Sequence, residues 1–256
     1  MADTLTFAAH LEAFREALVA FARYADRSGL RAPVPTTPDW TVRQLVAHQG
    51  MVHRWAASTL RGEPADPDGF ERAGRESADP VEWLRDGAID LAQALTSAPD
   101  DLEAPVFLAD APPPKQFWAR RQCHETTVHA VDALSAALGR YPRAADTWVS
   151  DEVALDGIDE LLCGFLPRPR SRLRSGEPMT IAVRPEGVDR SWLVRVGPEP
   201  PVTVRVGAAS AATAADDVPD VVLAGGPVAL YLTLWNRSDE VDATDVWREG
   251  AQVVWG

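Results

Sequence analysis

Apolar residues recur at three- and four-residue steps over 4–27. Phe7, Leu11, Phe14, Leu18, Phe21 and Ala25 mark one face of a predicted helix. The stretch RAPVPTTPDW, 31–40, reads as a proline-rich turn. A second helix is predicted from Thr41 to about Leu60, where Thr41 and Gln44 have capping-box spacing ahead of an apolar run. Residues 61–79 are rich in Gly, Pro, Asp and Glu and predict a long loop. Asp79 and Pro80 form an N-cap and N1 pair that opens a third helix, VEWLRDGAIDLAQALTSA. A loop over 99–114 closes with three prolines. A fourth helix, PKQFWARRQCHETTVHAVDALSAALG, then runs to a C′-type stop at Gly139. Four such helices with intervening loops predict an antiparallel four-helix bundle over 1–142.

Past Pro142 the period changes. One helix is expected at 149–166. The short β-type runs MTIAVR, SWLVRV, VTVRV and VVLAG follow, separated by Gly, Pro and Asp. PVALYLTLWNR predicts a helix, and QVVWG a last strand. The expectation is an α+β two-domain chain, with the bundle followed by a small α+β domain over 143–256.

The formal net charge of −13 repels phosphate backbones and anionic lipid headgroups, so nucleic-acid and membrane partners are not expected. Cys123 and Cys163 fall in different predicted segments, which indicates reduced thiols and a cytoplasmic setting rather than a disulfide framework. The N-terminal residues lack the apolar core of a signal peptide.

The chemistry gathers on the fourth helix, in RRQCHETTVHAVDA. H-E-x-x-x-H is one residue longer than the H-E-x-x-H of zinc proteases. With Glu125 at zero and about 100° per residue, His129 lies about 40° away, Asp132 about 20°, Arg121 about 40° and Gln122 about 60°. His124 lies roughly 140° from His129, so the two histidines do not share a face. The convergent pair is Glu125 and His129. A solvated face with i,i+4 pairs is one reading of this stripe. The other is a polar face turned into the bundle, where such folds build metal sites. Trp118, about 20° from Glu125, supports the second. Cys123, about 160° from Glu125, is expected to be a packed thiol.

On the second helix His48 interrupts an apolar stripe of Leu45, Met51, Val52 and Trp55. It is either a satisfied core histidine or a third ligand. His53, about 140° round, is expected to face solvent. His48, Glu125 and His129 together give three protein ligands and an open position, the catalytic arrangement for zinc. Nickel, cobalt or iron suit the same donors. Asp132 is either a carboxylate orienting a ligand histidine or the partner of an arginine.

WTVRQLVAHQGMVHRWA followed by RRQCHETTVHAVDAL resembles the mycothiol-dependent maleylpyruvate isomerase family, within the DinB-like superfamily of metal-binding bundles. DGIDELL and GPVALYLTLWNR resemble the smaller α+β domain of that family, which is sterol-carrier-like. The resemblance implies a divalent metal, typically zinc, on His48, Glu125 and His129. It also implies mycothiol as thiol cosubstrate and a catalytic arginine, matched here by Arg237.

Metal-bound thiol loses its proton readily, and the thiolate adds to electrophiles. An arginine such as Arg237 can hold a substrate carboxylate by a bidentate pair. The expected function is isomerase or S-transferase chemistry on small electrophiles. The alternative is a non-catalytic metal- or ligand-binding bundle acting as a sensor or interaction module. Protease-type hydrolysis is disfavoured, because Glu125 would be a ligand and not the base.

Overall fold

The computed structural model describes residues 5–207 and 218–253. The chain divides into two compact units. One comprises residues 1–107 and 111–142; the other comprises 108–110 and 143–256.

In the first unit, α1 (Phe7–Ser28) begins where Thr6 Oγ1 accepts from Ala9 N. Next, α2 (Val42–Arg61) begins at Thr41, whose N–H donates to Gln44 Oε1 at 2.8 Å. The expected loop over 61–79 instead contains a further helix, α3 (Pro67–Glu76). Its start repeats the aspartate–proline device seen again at Asp79: Asp66 Oδ1 accepts from Gly69 N, and Pro67 takes the first helical position. Only Gly74 of this helix is buried, so its sequence carries no apolar stripe to betray it. Then α4 (Pro80–Ser97) is capped by Asp79, and α5 (Pro114–Leu138) ends at Gly139 with φ 69°. Thus α1, α2, α4 and α5 form the bundle, and α3 packs on α2 and α4. Trp83 of α4 fills the slot between Gly50 of α2 and Gly74 of α3, leaving no room for a Cβ at either. The Arg54 guanidinium lies 3.7 Å from a Trp83 ring centroid.

Residues 117–135 of α5 are buried without a break. The helix is therefore central to the bundle, packing mainly on α1 and also on α2 and α4. A polar stripe on such a helix has no solvent to face.

The second unit begins with α6 (Asp151–Asp159), which passes directly into a π-helical turn over Glu160–Phe165. The wider turn frees backbone groups. Thr203 Oγ1 donates to Leu162 O at 2.6 Å, and Ala109 N donates to Gly164 O at 3.2 Å. Four strands follow: β1 (Met179–Pro185), β2 (Ser191–Val196), β3 (Val202–Val206) and β4 (Val221–Gly225). The sheet order is β3-β2-β1-β4, antiparallel except for the parallel β1–β4 pair. Ile181, Val183, Trp192, Val194 and Leu223 bury one face.

Then α7 (Pro227–Leu234) packs on α6, and α8 (Asp245–Gly250) follows. This last helix was not anticipated. Of the expected final strand, Gln252 and Val253 are not in a strand, and 254–256 lie outside the described residues. Each buried tryptophan finds an acceptor for its indole N–H. Trp192 donates to Asp159 Oδ1 at 2.9 Å, Trp235 to Gly157 O at 3.2 Å and Trp247 to Leu234 O at 3.1 Å. Among the described residues no helix is long and apolar enough to cross a membrane.

Candidate metal centre

Glu125 and His129 are one turn apart on α5, and His48 projects from α2. Glu125 Oε1 lies 3.3 Å from His129 Nε2 and 3.9 Å from His48 Nε2. The three donor atoms all fall within 4.8 Å of one another. The two imidazoles meet edge to face, with centroids 5.1 Å apart. One carboxylate oxygen facing two ring nitrogens is a donor set suited to a borderline divalent cation.

The second oxygen of Glu125 is occupied. Oε2 accepts from Arg121 Nη2 at 2.7 Å, and Arg121 is itself buried. Burial pushes the Glu125 carboxyl upward. The Arg121 guanidinium, aided by His129 and His48, outweighs this and holds it well below the usual carboxylate range. Burial likewise pushes the His129 imidazole down, but hydrogen bonds to Asp132 and Glu125 dominate and raise it to about 9.

Behind His129, its Nδ1 lies 2.8 Å from Asp132 Oδ2. Asp132 Oδ1 accepts from Thr36 Oγ1 at 2.6 Å, and Ser135 Oγ lies 3.0 Å from that hydroxyl. Of the two roles open to Asp132 in the sequence, the structure shows contact with the histidine. Trp40, half-buried, covers both rings. Its centroid is 4.9 Å from that of His48 and 6.0 Å from that of His129, nearly parallel to the latter.

Other sequence-marked residues are not among these three donors. His124 is fully buried, edge-on to His10 of α1 at 6.2 Å. Cys123 is a buried free thiol. Trp118 donates to Pro105 O and packs edge-on against Trp55 at 5.2 Å. Gln122 is buried. Arg237 belongs to the second unit, just after α7, where its Nη1 donates to Trp235 O at 2.8 Å.

His53 overturns an expectation. It does not face solvent but is fully buried, with Nε2 2.9 Å from both Gln49 Nε2 and Thr126 Oγ1. Because α2 packs against α5 on one side and α3 and α4 on another, its buried arc is wider than one stripe. Burial, then the neighbouring Arg54 charge, push the His53 imidazole down to about 3, so it is neutral near neutral pH. The i,i+4 pairing of Gln49 with His53 was a signal in the sequence. Thr36 and Trp40 had none, because both sit in a segment legible only as a turn.

Two family models match the chain. The mycothiol maleylpyruvate isomerase N-terminal domain covers residues 11–134, and the C-terminal domain of the same family covers 152–253. Two crystal structures share the fold. A mutant of the mycothiol-dependent maleylpyruvate isomerase is 14% identical with a TM-score of 0.60, and the unmutated isomerase 15% identical with a TM-score of 0.59. In both cases 93% of this chain and 92% of the other are covered. No curated protein matches the sequence. With models for both domains of one family lying in order along it, the chain belongs to the mycothiol-dependent maleylpyruvate isomerase family.

Proposed function

We propose that this protein is a cytoplasmic, divalent-metal-dependent enzyme using mycothiol to isomerise or S-conjugate small electrophiles of the maleylpyruvate type. The observation that carries the reading is the convergence of Glu125 Oε1 with the Nε2 atoms of His48 and His129. Zinc is the metal that best suits this donor set, with nickel, cobalt or iron as alternatives. When bound, it supplies a positive centre that holds a thiol as its thiolate.

The chain's own residues set the conditions for that chemistry. His48, Glu125 and His129 are the metal ligands. Arg121 keeps Glu125 ionised, and Asp132 orients His129. Trp40 shields both rings from water. The thiolate adds to the carbon–carbon double bond conjugated to a carbonyl, and the electron pair moves onto the carbonyl oxygen. The former double bond rotates. The electron pair then returns and expels the thiolate, giving the trans isomer. Thiol is regenerated, so none is consumed. Arg237 is the group we place on a substrate carboxylate, through a bidentate pair.

The test combines metal content with turnover. The purified protein is expected to hold about one equivalent of divalent metal. His48→Ala and Glu125→Ala should lose it, and maleylpyruvate isomerisation should require both metal and mycothiol. Wild-type metal content in both variants would refute the site. Metal retained with no thiol-dependent turnover on any electrophile would leave a binding module instead.

A further inference from the structure

We infer that Thr36 is a positioning residue for His129: its hydroxyl fixes Asp132, and Asp132 fixes which ring nitrogen of His129 faces Glu125 and His48. The inference rests on the metal reading above for its functional meaning, but its geometry stands within the bundle alone.

The chain of contacts is short and buried. Thr36 Oγ1 donates to Asp132 Oδ1 at 2.6 Å, and Asp132 Oδ2 accepts from His129 Nδ1 at 2.8 Å. Asp132 is fully buried and Thr36 is 8% exposed. A neutral imidazole has one donor and one acceptor nitrogen. With the Nδ1 hydrogen committed to Asp132, Nε2 is the nitrogen turned to Glu125 Oε1, 3.3 Å away, and it is the one left with a lone pair whenever the ring is neutral. Asp132 can perform this task only if its carboxylate plane is held. A carboxylate free to turn about its last side-chain bond would swing Oδ2 off the ring plane. The hydroxyl on the opposite oxygen prevents that.

The hydroxyl is itself anchored. The turn carrying it is stiffened by Pro33, Pro35 and Pro38, and its backbone is closed on itself. Val34 N donates to Trp40 O, Thr37 N to Val34 O and Trp40 N to Thr37 O, at 2.9–3.0 Å. Pro33 and Thr41 form a β-bridge at its neck, and Val34 is fully buried beneath it. The same turn carries Trp40, whose ring lies over both histidines. A segment readable only as a connection between two helices thus holds His129 from behind and covers it from the front.

The experiment compares Thr36→Val, which removes the hydroxyl at nearly constant volume, with Thr36→Ser, which keeps it. Zinc affinity is measured by competition with a chromophoric chelator. The His129 ring N–H is followed in the metal-free protein by proton–nitrogen NMR. Thr36→Val should weaken zinc binding by about tenfold or more, and Thr36→Ser should restore it. The Nδ1 proton should resonate downfield in wild type and in Thr36→Ser, and move upfield or vanish in Thr36→Val. If Thr36→Val fails to fold, Thr36→Ala replaces it under the same comparison. An unchanged ring signal in the folded hydroxyl-free variant overturns the inference. So does wild-type zinc affinity in that variant. A wild-type protein that takes no zinc, yet shows the predicted ring signal and its loss, sinks the metal reading and leaves Thr36 as the residue that orients His129.

Discussion

Arg121 and Glu125 form a buried ion pair one helical turn long, with Nη2 2.7 Å from Oε2, and it leaves only Oε1 facing the two histidines. The pair fixes the charge of the cluster. Removing one partner of a buried pair strands the other, which typically costs 3–5 kcal/mol.

Arg121→Met should therefore lower the stability of the metal-free protein by about 3 kcal/mol in urea unfolding. Saturating zinc should recover part of that loss, because a bound cation replaces the missing positive charge. A variant as stable as wild type would show that Glu125 is content without the guanidinium.

Acid should destabilise the bundle through His53. Its folded value is about 3, against about 6.5 for an unperturbed imidazole. Between these limits the unfolded chain binds the proton and the folded chain does not, so stability falls as pH falls. The slope from this one group approaches about 1.4 kcal/mol per pH unit below pH 6. His53→Gln should flatten the stability profile between about pH 6 and pH 4. An identical slope in wild type and variant would contradict the buried neutral state.

Gly50→Ala should destabilise the N-terminal unit, since its new methyl group would run into the Trp83 ring. Overpacking of this kind costs about 1–3 kcal/mol. Pairing it with Trp83→Leu should recover part of the loss, read as non-additivity in a double-mutant cycle. Strict additivity would mean that Trp83 is not the obstacle.

Neither cysteine should react in the folded protein. Burial, and then the Asp159 charge, push the Cys163 thiol up to about 12, and Cys123 is fully buried. Iodoacetamide at pH 8 should label both only after denaturation, as counted by intact mass. Labelling of native Cys163 would show that the π-helical turn opens.

Helical period, the Thr41 capping box and the Asp79–Pro80 start made α1, α2, α4 and α5 legible from the sequence, and alternating valines did the same for the sheet. The α3 helix was hidden because it buries so little that composition outweighed its cap. The α8 helix is six residues long, too short to establish a period. Angular spacing on one helix separated Glu125 and His129 from His124, since all three share a rigid frame. The same arithmetic failed for His53, because angle alone does not say how many neighbours surround a helix. Thr36 and Asp132, 96 residues apart, meet only through tertiary packing, which no local pattern encodes.

The unbroken burial of residues 117–135 has a consequence for how this protein can change over time. Most helices offer drift a solvent-facing side where substitutions pass unnoticed. Through these turns α5 offers none, so a replacement meets either the packing of the bundle or the polar cluster. Lineages of such a protein should diverge in their loops and outer helices while this segment lags behind. A new reaction would more readily be acquired through the parts that surround the helix than through the helix itself.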